Sequence, residues 1–412
     1  MQKWKLISVF VLLGLLLSSG INIALGQVNG FGQNKQESKA FSLRTEAVHT
    51  ALAHNALFDC ANYYPAGDAI LPTEEQIFHI NREIKITPDD GKDYRGAVWS
   101  PDGTAIVFVA PTDEQRPIQA NDALPSDDET RLMAVSKNEL LLYFPGQDIW
   151  EPIASDGTRP VWSADSHSIY YMAGVDLMKF NLTNKTTNRT ELKAPDTGNG
   201  LLFSRPLSDG RLLAPRHPHT PLVVQGGVSA LAQIEVAEND YVLLSPSEDN
   251  AVVTYGSNTW KGEFTPSVAV LYHSTKGTIP LFKNCQYSAL ETVWSPDSSR
   301  IAYPVHSSQP EIRIYDIESG QIHIPIRLDG FDQLSGLSWS PDGRFLAFTQ
   351  GDGRSQSRSI GIISTDGTKQ QTLVYDGLLP NWSPDGQYIL YARPASHQTL
   401  DWYLLDITTA KR

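Results

Sequence analysis

Histidine, arginine and other polar side chains are concentrated in a few irregular segments of this sequence, between runs of strand-forming residues. Four of the ten histidines lie in these segments, and imidazole is a common ligand of divalent metals. Arginine in the same segments could hold a carboxylate through two parallel hydrogen bonds. The candidate binding residues are Arg216, His217, His219, Trp260, Lys261, His306, Arg354, Arg358, Arg393 and His397.

These residue types do not by themselves indicate catalysis. The sequence contains no phosphate-binding loop, no His-Glu-x-x-His motif, no EF-hand loop and no dinucleotide fingerprint. His217 and His219 could bind a metal together, but surface histidines usually do not. We therefore predict no metal site and no cofactor, and we expect the polar segments to bind a partner.

A five-residue stretch, Trp-Ser-Pro-Asp-Gly, recurs along the chain and indicates the elements that position these segments. It stands at residues 99–103, 339–343 and 382–386, with looser copies at 162–166 and 294–298. Proline favours the first central position of a β-turn, and glycine tolerates the positive φ that follows. A repeat of about 40–50 residues is typical of β-propellers, whose blades each contain four strands.

The repeated stretch marks the turn between the first two strands of a blade, A and B, with strands C and D following outward. Counting the strand A candidates predicts an all-β, seven-bladed propeller over residues 75–412. Six blades are the alternative, because the copy near residue 203 is degenerate. The last blade ends on a strand of type C, and the strand at residues 83–87 could complete it. That pairing would close the ring and remove exposed strand edges.

In this architecture the A–B and C–D turns lie on one side of the propeller, which we call the corner face. The B–C and D–A connections lie on the other side, the B–C face. The corners are uniformly tight, whereas the B–C connections are longer and irregular, and binding residues commonly lie on such loops. All ten candidate residues fall in B–C connections, which predicts the B–C face as the binding surface.

Residues 1–26 are typical of a secretory signal peptide, with two lysines before an apolar run and a small-residue cleavage site. We expect export to the periplasm or the extracellular space, with an uncleaved membrane anchor as the alternative. Residues 27–74 are predicted to form a linker and a short helical arm, with the helix over residues 45–58. Cys60 and Cys285 are candidates for a disulfide, because an exported chain with two cysteines often pairs them.

The formal charge of the chain is −13, which argues against nucleic acid as a partner because phosphate neutralisation needs a basic surface. The partner classes that stay open are a protein, a peptide or a glycan. We expect a monomer with no stable membrane insertion once the signal is cleaved.

The Trp-Ser-Pro-Asp-Gly repeat, followed by a strand such as Ile301-Ala302-Tyr303, resembles the WD-like repeat of the TolB-superfamily β-propellers. The resemblance covers residues 75–412 and implies a propeller fold. TolB carries an α/β domain ahead of its propeller, where this chain has only residues 27–74, so no TolB partner is implied. The repeats are also similar to the propellers of prolyl-oligopeptidase-type peptidases. Because the chain has no Gly-x-Ser-x-Gly motif, we expect no peptidase activity.

Two functions of different classes are consistent with these observations. The first is an exported, non-catalytic propeller that binds its partner through the B–C face. The alternative is a metal-assisted polysaccharide lyase or hydrolase that uses His217, His219, His306 and His397. Similar repeats occur in oligogalacturonate lyases, which is an analogy of fold alone.

Overall fold

The computed structural model describes residues 58–59, 67–117, 134–174, 176–193, 213–214, 220–221, 223–224, 235–236, 241–255, 268–283, 291–329, 332–352, 357–395 and 399–410. These residues form strands, turns and connecting segments, and none of them is helical. Within these ranges, no helix could therefore cross a membrane.

The described strands build six antiparallel sheets, each with four strands in blade order. Three strands precede the first blade: β1 (Phe58–Asp59), β2 (Thr73–Glu74) and β3 (Phe78–Lys85). Blade 1 contains β4 (Arg95–Trp99), β5 (Ile106–Pro117), β6 (Ala134–Phe144) and β7 (Ile149–Ala154). Blade 2 contains β8 (Thr158–Trp162), β9 (Ser168–Ala173), β10 (Asp176–Asn181) and β11 (Thr186–Lys193).

Two small strand pairs follow blade 2: β12 (Leu213–Ala214) with β14 (Val223–Val224), and β13 (Thr220–Pro221) with β15 (Glu235–Val236). Blade 3 contains β16 (Tyr241–Leu244), β17 (Asn250–Tyr255), β18 (Val268–His273) and β19 (Gly277–Lys283). Blade 4 contains β20 (Val293–Trp294), β21 (Arg300–Val305), β22 (Glu311–Asp316) and β23 (Ile322–Arg327).

Blade 5 contains β24 (Asp332–Trp339), β25 (Phe345–Asp352), β26 (Arg358–Ser364) and β27 (Lys369–Tyr375). Blade 6 contains β28 (Leu378–Trp382), β29 (Tyr388–Pro394) and β30 (Leu400–Thr409), and its fourth strand is β3 from the N-terminal side of the chain. The observed β3 begins five residues before the strand predicted at 83–87. Closure of the whole ring stays a prediction, because most of residues 194–240 lie outside the described ranges.

The structure supports a β-propeller with six blades, which was the alternative count, and does not support the main prediction of seven. The segment predicted as an additional blade is described only at β12 to β15, which are two residues long each. Its corner, at residues 207–211, lacks both the tryptophan and the proline of the regular corners. The signals that fix a turn and an interblade core are therefore absent from that segment.

The core lies between neighbouring blades, because both faces of each sheet are buried. Along β5, successive side chains point to opposite sides, as in any strand. Ile106 and Phe108 pack against blade 6, whereas Val107 packs against blade 2. Equivalent clusters join blades 3 and 4, blades 4 and 5, and blades 5 and 6.

The segment before blade 1 runs along the outer strands of four consecutive blades. β1 pairs in parallel with β19 of blade 3, and β2 pairs in parallel with β27 of blade 5. Between them, the backbone N–H of Arg327 in blade 4 donates to the carbonyl of Ile70 at 3.1 Å. β3 then joins β30. The helix predicted over 45–58 lies outside the described residues except at Phe58, which belongs to a strand.

Candidate functional site

The serine and aspartate side chains of the corners form hydrogen bonds within the corner turns. In five corners the serine hydroxyl donates to the aspartate two residues later at 2.6 Å, as Ser100 does to Asp102. The same hydroxyl accepts the N–H of the residue that opens strand B, as Ser383 does from Tyr388 at 2.8 Å. The aspartate also accepts an N–H from two residues further on. These bonds hold strands A and B together.

Neighbouring corners also bond to each other. The N–H of Asp102 donates to the Ser166 hydroxyl of the next blade at 3.0 Å, and the N–H of Ser247 donates to Ser298 at 2.8 Å. Arg300 donates to the carbonyl of Gly343 at 2.7 Å, and its guanidinium lies over the Trp339 ring. The corner face is therefore a connected part of the scaffold.

A cleft opens at the corner face between blades 5 and 6, although the sequence predicts only tight turns there. Its volume is about 200 Å³, and Phe78, Phe345 and Trp382 are among its lining residues. Asp342 and Arg344 at its rim pair with each other at 2.7 Å. The charges of that pair are thus already neutralised within blade 5.

At the opposite end of blade 4, His306 follows strand B and faces a carboxylate. Its Nε2 lies 3.3 Å from Oε2 of Glu291, a residue that precedes strand A of the same blade. Both side chains are 29 % exposed, so the pair is accessible from the B–C face. Nearby in the same B–C connection, the Gln309 amide donates to Asp329 at 2.7 Å.

A buried ionic cluster lies at the same end of blade 4. Glu311 is fully buried at the start of β22, and its carboxylate pairs with Arg313 and, at 2.8 Å, with Arg327. Burial also raises the pKa of the adjoining Tyr303 to about 12. Two guanidinium groups flank one carboxylate, and a buried ionic group of this kind is tolerated only when it is well hydrogen-bonded.

Sequence reasoning missed this cluster, although a signal was present. Glu311 and Arg313 alternate with the buried Ile312 and Ile314, which places two opposite charges on one face of a strand. In a blade buried on both sides, such a pair must be neutralised within the protein.

Arg393, one of the predicted binding residues, is held in a pair with the N-terminal strand. Its guanidinium donates two bonds of 2.9 Å to Glu83 of β3 and lies 4.8 Å from the centre of the Tyr403 ring. Burial raises the pKa of Glu83, but the bonds from Arg393 and Tyr391 outweigh that effect and lower the pKa overall. In the structure Arg393 therefore anchors β3 to blade 6.

Arg358 is exposed at the start of β26, on the B–C side of blade 5. The structure thus describes three of the ten predicted residues, and it does not bring His306, Arg358 and Arg393 together in one contact. The remaining predicted residues lie outside the described ranges: Arg216, His217, His219, Trp260, Lys261, Arg354 and His397, as do Cys60 and Cys285.

The described residues contain no group of side chains suited to a metal ion. No three histidine, cysteine, aspartate or glutamate side chains come together among them in a way that could hold a metal ion. His306 and Glu291 supply two suitable donor atoms in the part of the chain that the structure describes.

A bulge recurs in the innermost strand, three residues before the corner tryptophan. Pairing with strand B shifts there in blades 1, 2, 5 and 6. The bulged residues have positive φ: Gly96 (61°), Arg159 (52°), Gly336 (59°) and Leu379 (56°). Bulges of this kind redirect side chains and are frequent next to functional sites.

Comparison with known proteins supports the propeller fold. No family model matches the sequence, and no curated protein matches it. Solved structures do match. An oligogalacturonate lyase in complex with manganese is 14% identical, covering 84% of this chain and 99% of its own, with a TM-score of 0.53. An oligogalacturonate lyase from Vibrio parahaemolyticus is 12% identical, covering 82% and 96%, with a TM-score of 0.51.

The β-propeller domain of the Trilobed protease from Pyrococcus furiosus is 11% identical, covering 78% of this chain and 98% of its own, with a TM-score of 0.50. Identities this low show the fold alone, so the chain is a β-propeller. The closer resemblance to the TolB superfamily stays a prediction.

Proposed function

We propose that this chain is an exported, non-catalytic β-propeller that binds a protein, peptide or glycan through its B–C face. The observation that carries the proposal is the contrast between the two faces. The polar groups of the corners form hydrogen bonds within and between the turns. The His306–Glu291 pair, by comparison, is partly exposed at the B–C end of blade 4.

The buried cluster beneath that pair supports the same proposal. Glu311, Arg313 and Arg327 hold the start of β22, into which the B–C connection of blade 4 leads, against the end of β23. A rigid base under a polar surface favours binding, because the ligand need not order the loop that contacts it.

The test is a binding screen with matched variants. The mature chain, beginning at Gln27, would be labelled and applied to arrays of cell-wall glycans and of peptides. We expect a hit whose signal falls at least tenfold in His306→Ala, because this variant removes a partly exposed polar side chain from the proposed contact with the ligand. Asp385→Asn, on the corner face, is the control and should bind as the unchanged chain does. Equal loss in both variants, or loss in the control alone, would overturn the choice of face.

A metal-assisted polysaccharide lyase is the second candidate, and the similarity to oligogalacturonate lyases motivates its test. The fold similarity carries no activity by itself, and His306 with Glu291 offers two donors. Incubation with oligogalacturonate and Mn²⁺ would release unsaturated products, seen by their ultraviolet absorbance, if the lyase reading holds. Product release that disappears in His306→Ala would replace the binding proposal with the enzymatic one.

Export and association state belong to the same proposal. Expression with the full N-terminus should yield a chain that begins at Gln27 and is recovered outside the cytoplasm, as N-terminal sequencing would report. Light scattering should give the mass of a monomer.

A further inference from the structure

Arg159 occupies a backbone conformation that two equivalent blades assign to glycine. Its φ is 52°, in the left-handed region where a side chain is strained. At the same bulge position blades 1 and 5 carry Gly96 and Gly336. Unfavourable backbone conformations that persist at one site often accompany function, so the retention of arginine here calls for a functional explanation.

The position of Arg159 places it at the inner rim of the B–C face. It lies at the start of β8, directly after the connection from strand D of blade 1, and this end of each blade forms the B–C face. The first strands of neighbouring blades contact each other, as β4 does β8 and β24 does β28, so these strands are innermost.

The surroundings of Arg159 are those of a recessed site. Its side chain is exposed to solvent, yet desolvation lowers the pKa of the guanidinium, which means that protein surrounds it. A cation that is both accessible and partly desolvated interacts more strongly with an anion than one on an open surface.

The neighbouring blades provide room beside Arg159. Blade 1 has Gly96 at the equivalent position, where an added Cβ would meet only Val109, at 3.6 Å. Blade 6 follows on the other side with Leu379, whose side chain is 45% exposed. Three consecutive blades thus present an apolar side chain, an open glycine and an arginine.

We propose that Arg159 binds a carboxylate group of the ligand on the B–C face, an inference that rests on the proposed binding function. The planar guanidinium matches a carboxylate through two parallel hydrogen bonds. The ligand would extend over Gly96 towards Leu379, which favours an oligomer with apolar faces between its carboxylates.

The experiment compares Arg159→Gly with Lys185→Gly, a cation with a φ of 56° in the C–D turn of blade 2 on the corner face, because both variants relieve the same kind of backbone strain. We expect each to melt at the temperature of the unchanged chain or up to about 2 °C higher. Tri-galacturonate and tri-glutamate are the two probes, titrated by calorimetry, and they distinguish a glycan from a peptide source of the carboxylates. Arg159→Gly should bind the preferred probe roughly tenfold to a hundredfold more weakly. Lys185→Gly should stay within about threefold of the unchanged chain.

Arg159→Lys separates geometry from charge. It keeps the positive charge without the planar fork, so we expect an affinity between those of the unchanged chain and Arg159→Gly. Equal affinities in all variants would overturn the inference, and so would the absence of binding to both probes. If neither probe binds but an array ligand depends on His306, the carboxylate inference fails while the proposed function stands.

Discussion

The corner aspartates are ionised acceptors held in place by hydroxyl and amide donors. For Asp165 and Asp366 the serine two residues earlier is the main cause that lowers the pKa. For Asp102, Asp297 and Asp342 burial raises the pKa, but the combined bonds outweigh it, and the pKa is again lowered. Turns of this kind therefore favour a charged aspartate at these five positions.

This repetition predicts a steep loss of stability in acid. The folded-state pKa of each of these five aspartates lies below its ordinary value of 3.8. Such groups contribute stability that is fully present above the unfolded pKa and is lost as pH falls through the folded pKa. In urea unfolding, these aspartates should therefore contribute a constant amount to the free energy of unfolding near neutral pH. The free energy of unfolding should fall below about pH 4. Replacing Asp165 and Asp366 by Asn should flatten this fall, and an unchanged slope would contradict the account.

The corner tryptophans differ in one hydrogen bond. The indole N–H groups of Trp162, Trp294 and Trp339 donate to a carbonyl of the preceding blade at 3.1 to 3.3 Å. The buried indole N–H groups of Trp99 and Trp382 have no partner. Both of these lie at an interface of blade 6, the blade completed by β3.

Trp339→Phe and Trp382→Phe form a matched pair. The first removes a donor and leaves the Val293 carbonyl without it, so the free energy of unfolding should fall by about 1–3 kcal/mol more than in the second. The second removes an unpaired buried group, which offsets part of the lost packing. Chemical denaturation of both variants, followed by circular dichroism, measures the difference. Equal losses would show that the interblade bond contributes nothing.

At the scale of elements, the strands around each corner could be predicted from the sequence. The pairing of β1 and β2 with the outer strands of blades 3 and 5 could not. The corner motif is local, and the turn it encodes fixes where strands A and B end. β1 and β2 are two residues long and pair with strands more than 200 residues away, so no periodicity marks them. Arg393 was predicted to face a ligand because it lies in a B–C connection, and its pairing with Glu83 was missed because the two residues are 310 positions apart.

Both cysteines of the predicted disulfide follow a described strand pair in the sequence. Phe58 pairs with Phe282 and Asp59 pairs with Lys283, so β1 and β19 run side by side in parallel. Cys60 follows Asp59 directly, and Cys285 comes two residues after Lys283. Both cysteines lie outside the described residues, and the disulfide stays a prediction.

We expect Cys60 and Cys285 to be bonded in the exported protein. Peptide mapping without reductant should recover both cysteines in one cross-linked fragment. Cys60→Ser should lower the free energy of unfolding by about 2–5 kcal/mol, because the long loop is no longer closed in the unfolded state. Cys285→Ser and the double variant should show the same loss. Two titratable thiols in the native protein, or additive losses, would contradict the bridge.

At the scale of the whole molecule, the fold class followed from the repeat, but the blade count did not. Each regular corner predicted one blade, whereas the segment near residue 203 offered a corner without tryptophan or proline. His306 was found because a histidine after strand B is visible in the sequence. Glu291 and the Glu311 cluster depend on which strands lie together, and that information is in the fold.

Among the described residues, five interblade clusters join all six blades in series, which predicts a single cooperative unfolding transition. The cluster between blades 6 and 1 packs Phe108 against Trp402 and Leu404, so residues near both ends of the propeller share one core. Phe348 lies in the cluster between blades 4 and 5. Phe108→Ala and Phe348→Ala should each destabilise the protein by about 3–5 kcal/mol through the cavity they leave. Tryptophan fluorescence and circular dichroism should follow one coincident curve in both variants, because blades that share side chains lose them together. A second transition that responds to only one of the substitutions would mean that the two halves of the series unfold separately.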